Sequence, residues 1–136
     1  MSDLPAGTAP VDGIVNVRSP LPLGGTVERL TELIGAAGAT LFGSIDQSGA
    51  AEQAGLTLRP TTLLIFGNPA GGTPVMAAAP LAALDLPLKI LVWQDDEGAV
   101  WITHLDQSWL AARYGLAGDL AKPLAAPAAL TARIGD

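Results

Sequence analysis

Residues 88-LKILVWQDDEGAVWITHL-105 are the part of this chain that is most informative about its fold. Runs rich in β-branched and aromatic residues flank the acidic turn 95-DDEG-98. Extended runs on either side of a turn that contains glycine predict a β-hairpin. Trp93 and Trp101 lie equally far in sequence from Glu97 in that turn, so a hairpin symmetric about the turn makes them cross-strand neighbours.

Strands and helices surround this hairpin. Alternating or continuous apolar runs predict three more strands, at 14–19, 40–46 and 61–66. Start and stop signals predict three helices. The first spans 26–37 with Thr26 as its N-cap, and the last spans 106–116 with Asp106 or Ser108 as its N-cap. Between them, a short helix within 74–84 breaks before Pro80. Residues 48–55 are a short helix or an irregular crossing, and the tail 119–136, rich in Ala and Pro, is compatible with short helical pieces.

The order of these elements is β-α-β4-α, with a short helix inside the run of four strands. Such a hairpin-rich block predicts the α+β class, a mostly antiparallel sheet with helices packed on one face. The 136 residues correspond to one domain by size. Residues 1–12 have little apolar pattern and are predicted to be a flexible N-terminal arm, which leaves 13–136 as the single α+β domain.

Composition disfavours several partners. The formal net charge is −6 with seven Lys plus Arg, so nucleic-acid and anionic membrane surfaces are not expected to bind. No apolar run reaches the roughly 18 residues of a membrane span, and the first residues do not resemble a secretory signal. The absence of cysteine removes thiolate chemistry and is compatible with a reducing compartment, so a cytoplasmic location and no cofactor are expected.

The loop 66-FGNPAGGTPVM-76 is the first candidate for a binding site. Two glycines permit positive φ, Thr73 has the chemistry of an N-cap, and Pro74 fits a first helical position. Free N–H donors there could hold a carboxylate or a phosphate. The alternative is a purely structural turn, because the spacing matches neither a Walker loop nor a dinucleotide fingerprint. The candidate ligand-binding residues of this loop are Phe66, Gly67, Asn68, Gly71, Gly72 and Thr73, and Asp46 and Asp85 are further candidates outside it.

Candidates for catalysis are few. His104 is the only histidine and is a weak candidate for a general base, with Asp46 or Asp85 as the carboxylate that faces the same pocket. Both aspartates equally suit turn capping. The acidic turn at 95–97 lacks the ligand spacing of a calcium loop and is predicted to be solvated, and no metal site is expected.

Four patterns occur in an order that resembles the domain-of-unknown-function 302 family: 42-FGSIDQSGAAEQAGLTLRP-60, 61-TTLLIFGNPAGGTPVM-76, 85-DLPLKILVWQDDEGAVWITH-104 and 108-SWLAARYGL-116. The resemblance covers roughly residues 14–116 and implies a TATA-binding-protein-like fold, often as dimers. It implies no catalytic residue, because the activity of the family is not established.

These observations lead to one hypothesis of function and two alternatives. We expect a domain that binds a small molecule or anion near 66–76 without catalysis, as a homodimer. The alternatives are an enzyme of unknown chemistry that uses His104 with a nearby carboxylate, and a dimeric interaction domain that pairs through its sheet.

Overall fold

A five-stranded antiparallel sheet organises the chain in the computed structural model, which describes residues 4–136. The strands stand in the order β1-β5-β4-β3-β2. Their bounds are Ile14–Arg18 for β1, Thr40–Asp46 for β2, Thr61–Gly67 for β3, Leu88–Gln94 for β4 and Val100–Leu105 for β5. The predicted α+β class and the predicted positions of the strands are confirmed.

The predicted hairpin is the centre of this sheet. β4 pairs with β5 so that Trp93 lies opposite Trp101, which confirms the expected cross-strand pair. Leu88, Ile90 and Val92 alternate with more exposed residues along β4 and point into the hydrophobic core.

Five helices accompany the sheet within residues 4–136. They are α1 (Leu23–Ala36), α2 (Gln47–Gln53), α3 (Pro69–Ala78), α4 (Gln107–Arg113) and α5 (Ala126–Thr131). Short 3₁₀ segments at Pro80–Asp85, Gly118–Leu120 and Lys122–Ala125 complete the path, so the tail is helical in pieces. Among residues 4–136, no helix combines the length and the apolar character that a membrane span requires.

The start of α1 differs from the predicted cap at Thr26. The helix begins three residues earlier, at Leu23, and Thr26 is buried inside its first turns. The Thr26 hydroxyl donates to the carbonyl oxygen of Pro22 at 2.9 Å and shares a 2.6 Å hydrogen bond with Ser19 Oγ. The side chain therefore ties the helix to the end of β1 instead of capping it.

The acidic turn is not simply solvated, because Asp95 is only 7% exposed. Its carboxylate accepts hydrogen bonds from the Ala6 N–H and the Trp101 indole N–H at 2.9 and 2.8 Å, and from two N–H groups within the turn. The Ala6 N–H contributes most to holding the pKa of Asp95 well below its usual range. Asp95 thereby joins the predicted arm to the hairpin.

The first described residues of that arm are packed against the rest of the fold, whereas residues 8–12 are exposed. Pro5 is fully buried, and a β-carbon added at Gly7 would collide with the carboxylate of Asp96. Residues 1–3 of the predicted arm lie outside the described residues.

Candidate functional site

A cavity of about 720 Å³ lies beside the predicted loop. We call it the α3 cavity. Its walls come from the end of β3 at 66–67, the first turns of α3 within 68–76, the segment 86–88 and the tail within 122–130, with 37, 39 and 42 beside them. Most of these side chains are apolar. Ligand pockets in proteins commonly enclose roughly 300–1,000 Å³, so the space suits a small molecule.

The loop candidates are all in the wall of this cavity. The lining includes the six loop residues that were predicted to bind ligand: Phe66, Gly67, Asn68, Gly71, Gly72 and Thr73. The other two candidates, Asp46 and Asp85, are not among its lining residues.

The first turn of α3 begins earlier than the sequence predicts. Asn68 is the N-cap, and its side-chain oxygen accepts a hydrogen bond from the Ala70 N–H at 3.0 Å. Pro69, and not Pro74, occupies the first helical position, and Thr73 lies inside the helix. Asn is a stronger cap than Thr, and Pro at the next position reinforces it, so the earlier start wins.

This start uses the backbone donors that an anion site would need. The N–H groups of Gly71 and Gly72 both donate to the carbonyl oxygen of Asn68 at 2.9 Å. Pro69 has no N–H, and Ala70 donates to the cap. Neither glycine uses the positive φ that its missing side chain permits, because both are helical. The loop therefore offers an apolar wall with its first-turn donors already paired.

Gly71 allows the tail to close the cavity. A β-carbon at this position would lie 3.0 Å from Cβ and 3.2 Å from Cγ of Pro123. Such distances are shorter than ordinary contacts between carbon atoms, which are about 3.5–4.0 Å. The absence of a side chain at Gly71 thus lets the 122–125 segment pack directly on α3.

Exposed side chains border the cavity. Phe42 is 55% exposed, and it lies at the irregularity in β2 between Leu41 and Gly43. Bulges of this kind re-aim a side chain relative to the sheet. Among the described lining residues, Lys122 carries the charge; its side chain is 78% exposed, and its Nζ lies 2.8 Å from the Asp119 carboxylate.

His104 does not join either candidate carboxylate. The ring is 6% exposed, and its Nδ1 lies 2.9 Å from the carbonyl oxygen of Leu105. Asp46 is on β2, which β4 and β3 separate from β5, so three strand spacings of about 4.8 Å place it roughly 14 Å away across the sheet.

The two aspartates have structural partners. Asp46 caps α2 by accepting the Gly49 N–H at 2.9 Å, and this bond, with the Ser48 hydroxyl, lowers its pKa. Asp85 accepts a hydrogen bond from the Tyr114 hydroxyl and lies 3.4 Å from Arg113 Nε. Within the described part of the chain, no group of three His, Asp or Glu side chains is placed to hold a metal ion.

Sequence reasoning missed the walls outside the loop, the tail among them. In the tail, Leu124 and Leu130 line the cavity, and Pro127 between them is buried. Their spacing of three residues is a helical signal, but two prolines and many alanines obscure it.

These features define the class of protein: an α+β domain with an open antiparallel sheet and an apolar cavity between a helix start and the tail. The family model of the domain of unknown function DUF302 matches residues 15–131. The chain therefore belongs to the DUF302 family. The crystal structure of an uncharacterized conserved DUF302 protein from Bacillus stearothermophilus has the same fold, with a TM-score of 0.75 at 21% identity over 91% of this chain and 96% of that one.

Curated relatives are similar in sequence over most of the chain. Two proteins named fluoride-specific ion channel FluC 1, from Brucella suis and Brucella abortus, are 41% identical over 111 residues. The match includes 80% of this chain but only 44% and 41% of those proteins. The chain thus spans less than half the length of the curated relatives it matches.

Proposed function

We propose that this protein binds an apolar small molecule in the α3 cavity without transforming it. The observation that carries the proposal is the combination of a 720 Å³ space with a lining that is almost wholly apolar. Cavities of this kind, with a few polar groups at one side, are the usual form of small-molecule sites. The paired donors of the first turn of α3 favour an apolar ligand body over a bare anion.

The positions of His104, Asp46 and Asp85 support binding over catalysis. His104 is bonded to a main-chain carbonyl, and the aspartates that were its candidate partners cap a helix or bond to Tyr114. General acid–base chemistry requires a side chain within hydrogen-bond reach of the reacting group. None of these three side chains lines the α3 cavity.

We do not propose for this chain the fluoride-channel activity for which the Brucella relatives are named. A fluoride ion is small and strongly hydrated, so a site for it must replace water with hydrogen-bond donors. The walls of the α3 cavity are mostly apolar, and the nearest backbone donors are paired.

Two exposed alanines of α5 provide the test. Ala129 lines the cavity, and its neighbour Ala128 does not. A neutral fluorescent probe, N-phenyl-1-naphthylamine, should bind the wild type and Ala128→Phe alike. Ala129→Phe should weaken the binding, because its ring would occupy space that the probe needs. We expect an effect of about tenfold or more, which corresponds to a loss of roughly 1.4 kcal/mol. Equal binding by both variants, or no binding by the wild type, would refute the proposal.

We also propose that the protein forms a homodimer through the face of the sheet that its helices leave uncovered. Leu63, Ile65 and Leu91 point to that face and are only partly buried, and Ile45 lies beside Leu63 at the edge with 40% exposure. Lys89 lies on the same face opposite Ile65, so the apolar part of the face is the cluster of Leu63, Leu91 and Ile45 beside this charge. Exposed apolar clusters of this kind are typical of protein interfaces.

Sedimentation velocity at micromolar concentration tests the dimer. Ile45→Lys should shift the protein towards monomer, because it places a charge in the apolar face. Leu81→Lys is the matched control, since Leu81 is 79% exposed and belongs to the 3₁₀ segment at Pro80–Asp85. A monomeric wild type would refute the dimer.

The composition supports a further proposal, that the protein resides in the cytoplasm. A chain without cysteine requires no oxidising compartment for its folding. Cell fractionation with an antibody to the protein tests this location, and recovery outside the cytoplasmic fraction would contradict it.

A further inference from the structure

We infer that the ligand of the α3 cavity is an amphipathic monocarboxylate whose apolar tail occupies the cavity and whose carboxylate contacts Lys122. This inference rests on the proposed function and names the chemical class of its ligand. Its starting point is that the charged side chain among the described lining residues is a cation, although the chain as a whole carries a net charge of −6.

The position of Lys122 places its charge at one side of the cavity. The close packing of Gly71 on Pro123 brings the residue next to Lys122 against the first turn of α3. The polar lining residues Asn68 and Thr73 belong to that same part of α3. Asn68 uses its side-chain oxygen for the cap, which leaves its NH₂ group as a donor. A cation and two hydrogen-bonding side chains therefore make up the polar part of an otherwise apolar lining.

The present partner of Lys122 can give way to a ligand. Asp119 pairs with it at 2.8 Å, but both side chains are mostly exposed, at 78% and 90%. Exposed ion pairs of this kind contribute little to stability because water and salt screen them. A carboxylate whose tail is already held by the cavity has a high local concentration at Lys122 and can replace Asp119 there.

Charge and size limit the headgroup and the tail. One lysine in a chain of net charge −6 favours a monoanion over a dianionic phosphate. The apolar walls require a hydrocarbon body, and each added methylene should tighten binding about fourfold until the cavity is full. A straight-chain fatty acid has both properties.

Calorimetric titration with matched probes tests the headgroup. The probes are straight-chain monocarboxylates of roughly six to twelve carbons, a range suited to a cavity of this size, and the primary alcohols of equal length. At low ionic strength the wild type should bind each acid several-fold more tightly than its alcohol. Lys122→Met should weaken the acids by about fivefold, the effect of removing an exposed ion pair, and leave the alcohols unchanged.

Two further variants sharpen the test. Lys89→Met makes the same charge change on β4 outside the cavity and should have no effect. Asp119→Asn frees Lys122 from its partner and should tighten the acids but not the alcohols.

The possible failures are distinguishable. Equal affinity of acids and alcohols for the wild type, or equal effects of Lys122→Met and Lys89→Met, would overturn the headgroup inference and leave the apolar cavity in place. Tighter binding of alkyl phosphates than of the acids would overturn the monoanion. Binding of neither acids nor alcohols would overturn the proposed function itself.

Discussion

Adjacent glycines in α3 provide the sharpest test of how the cavity is built. An alanine β-carbon at Gly71 would lie 3.0 Å from Pro123, whereas at Gly72 the nearest atom is the terminal methyl of Met76 at 3.9 Å. Both glycines are helical, so alanine suits the backbone at either position. We therefore predict that Gly72→Ala stabilises the protein and that Gly71→Ala does not.

The magnitudes follow from two opposing effects. Replacement of glycine by alanine in a compatible backbone stabilises a protein by about 0.4–1 kcal/mol, and Gly72→Ala should show this gain. Gly71→Ala has the same gain, but its methyl group compresses the contact with Pro123. Overpacking of this kind costs about 1–3 kcal/mol. The free energies of unfolding of the two variants should therefore differ by about 1–3 kcal/mol.

Urea unfolding measured by tryptophan fluorescence is the assay, since the chain has three tryptophans. With a slope of about 2 kcal/mol per molar urea, the midpoints should differ by about 0.5–1.5 M. Each variant is the control for the other, because the chemical change is identical. Equal midpoints would show that the tail does not press on α3, and the described wall of the cavity would then be wrong.

Three further substitutions test individual contacts. Asn68→Ala should lower the free energy of unfolding by about 1 kcal/mol through loss of the cap, while Asn68→Asp, which keeps the acceptor, should stay near the wild type; equal losses would contradict the cap. Folding lowers the pKa of Asp95, so its ionised carboxylate stabilises the folded protein. This stabilisation is fully present above the pKa of the unfolded chain, about 3.9, and is lost as the pH falls through the lower pKa of the folded protein. The Tm of Asp95→Asn should therefore fall less steeply than the Tm of the wild type as the pH is lowered. Parallel curves of Tm against pH would refute this. Tyr114→Phe should destabilise by about 1 kcal/mol through loss of the bond to Asp85, and an unchanged urea midpoint would contradict that bond.

The sheet was predictable because its signals are local. β2 and β3 agree with their predicted bounds to within one residue, and Trp93 lies opposite Trp101 as the symmetry of the hairpin requires. Strand patterns and turn glycines depend on neighbours a few residues away, which a sequence displays directly. The six loop candidates likewise came together because they all lie within the short segment 66–73.

Helix starts were less predictable, since several residues compete for the same role. Thr26 and Thr73 have the chemistry of N-caps, but both lie inside helices that begin earlier. A threonine within a helix can satisfy its hydroxyl with the carbonyl four residues before, as Thr26 does with Pro22. Residue type alone therefore does not distinguish a cap from an interior position.

Distant partners explain what the sequence could not reveal about Asp95. Three acidic residues stand together at 95–97, and nothing in their order marks the first as buried. Its distinction comes from the Ala6 N–H, which is 89 residues away along the chain. The same holds for the α3 cavity, whose wall forms only when Pro123 packs on Gly71.

This dependence on remote contacts changes what the loop motif means for function. Taken alone, glycines beside a helix start indicate backbone donors for an anion. In the folded chain those donors are paired, and Gly71 instead makes room for the tail that encloses an apolar space. The charge that could orient a ligand then comes from Lys122 in the tail and not from the loop. The proposed ligand would contact both segments, so we expect substitutions in the tail to alter binding as strongly as substitutions in the loop.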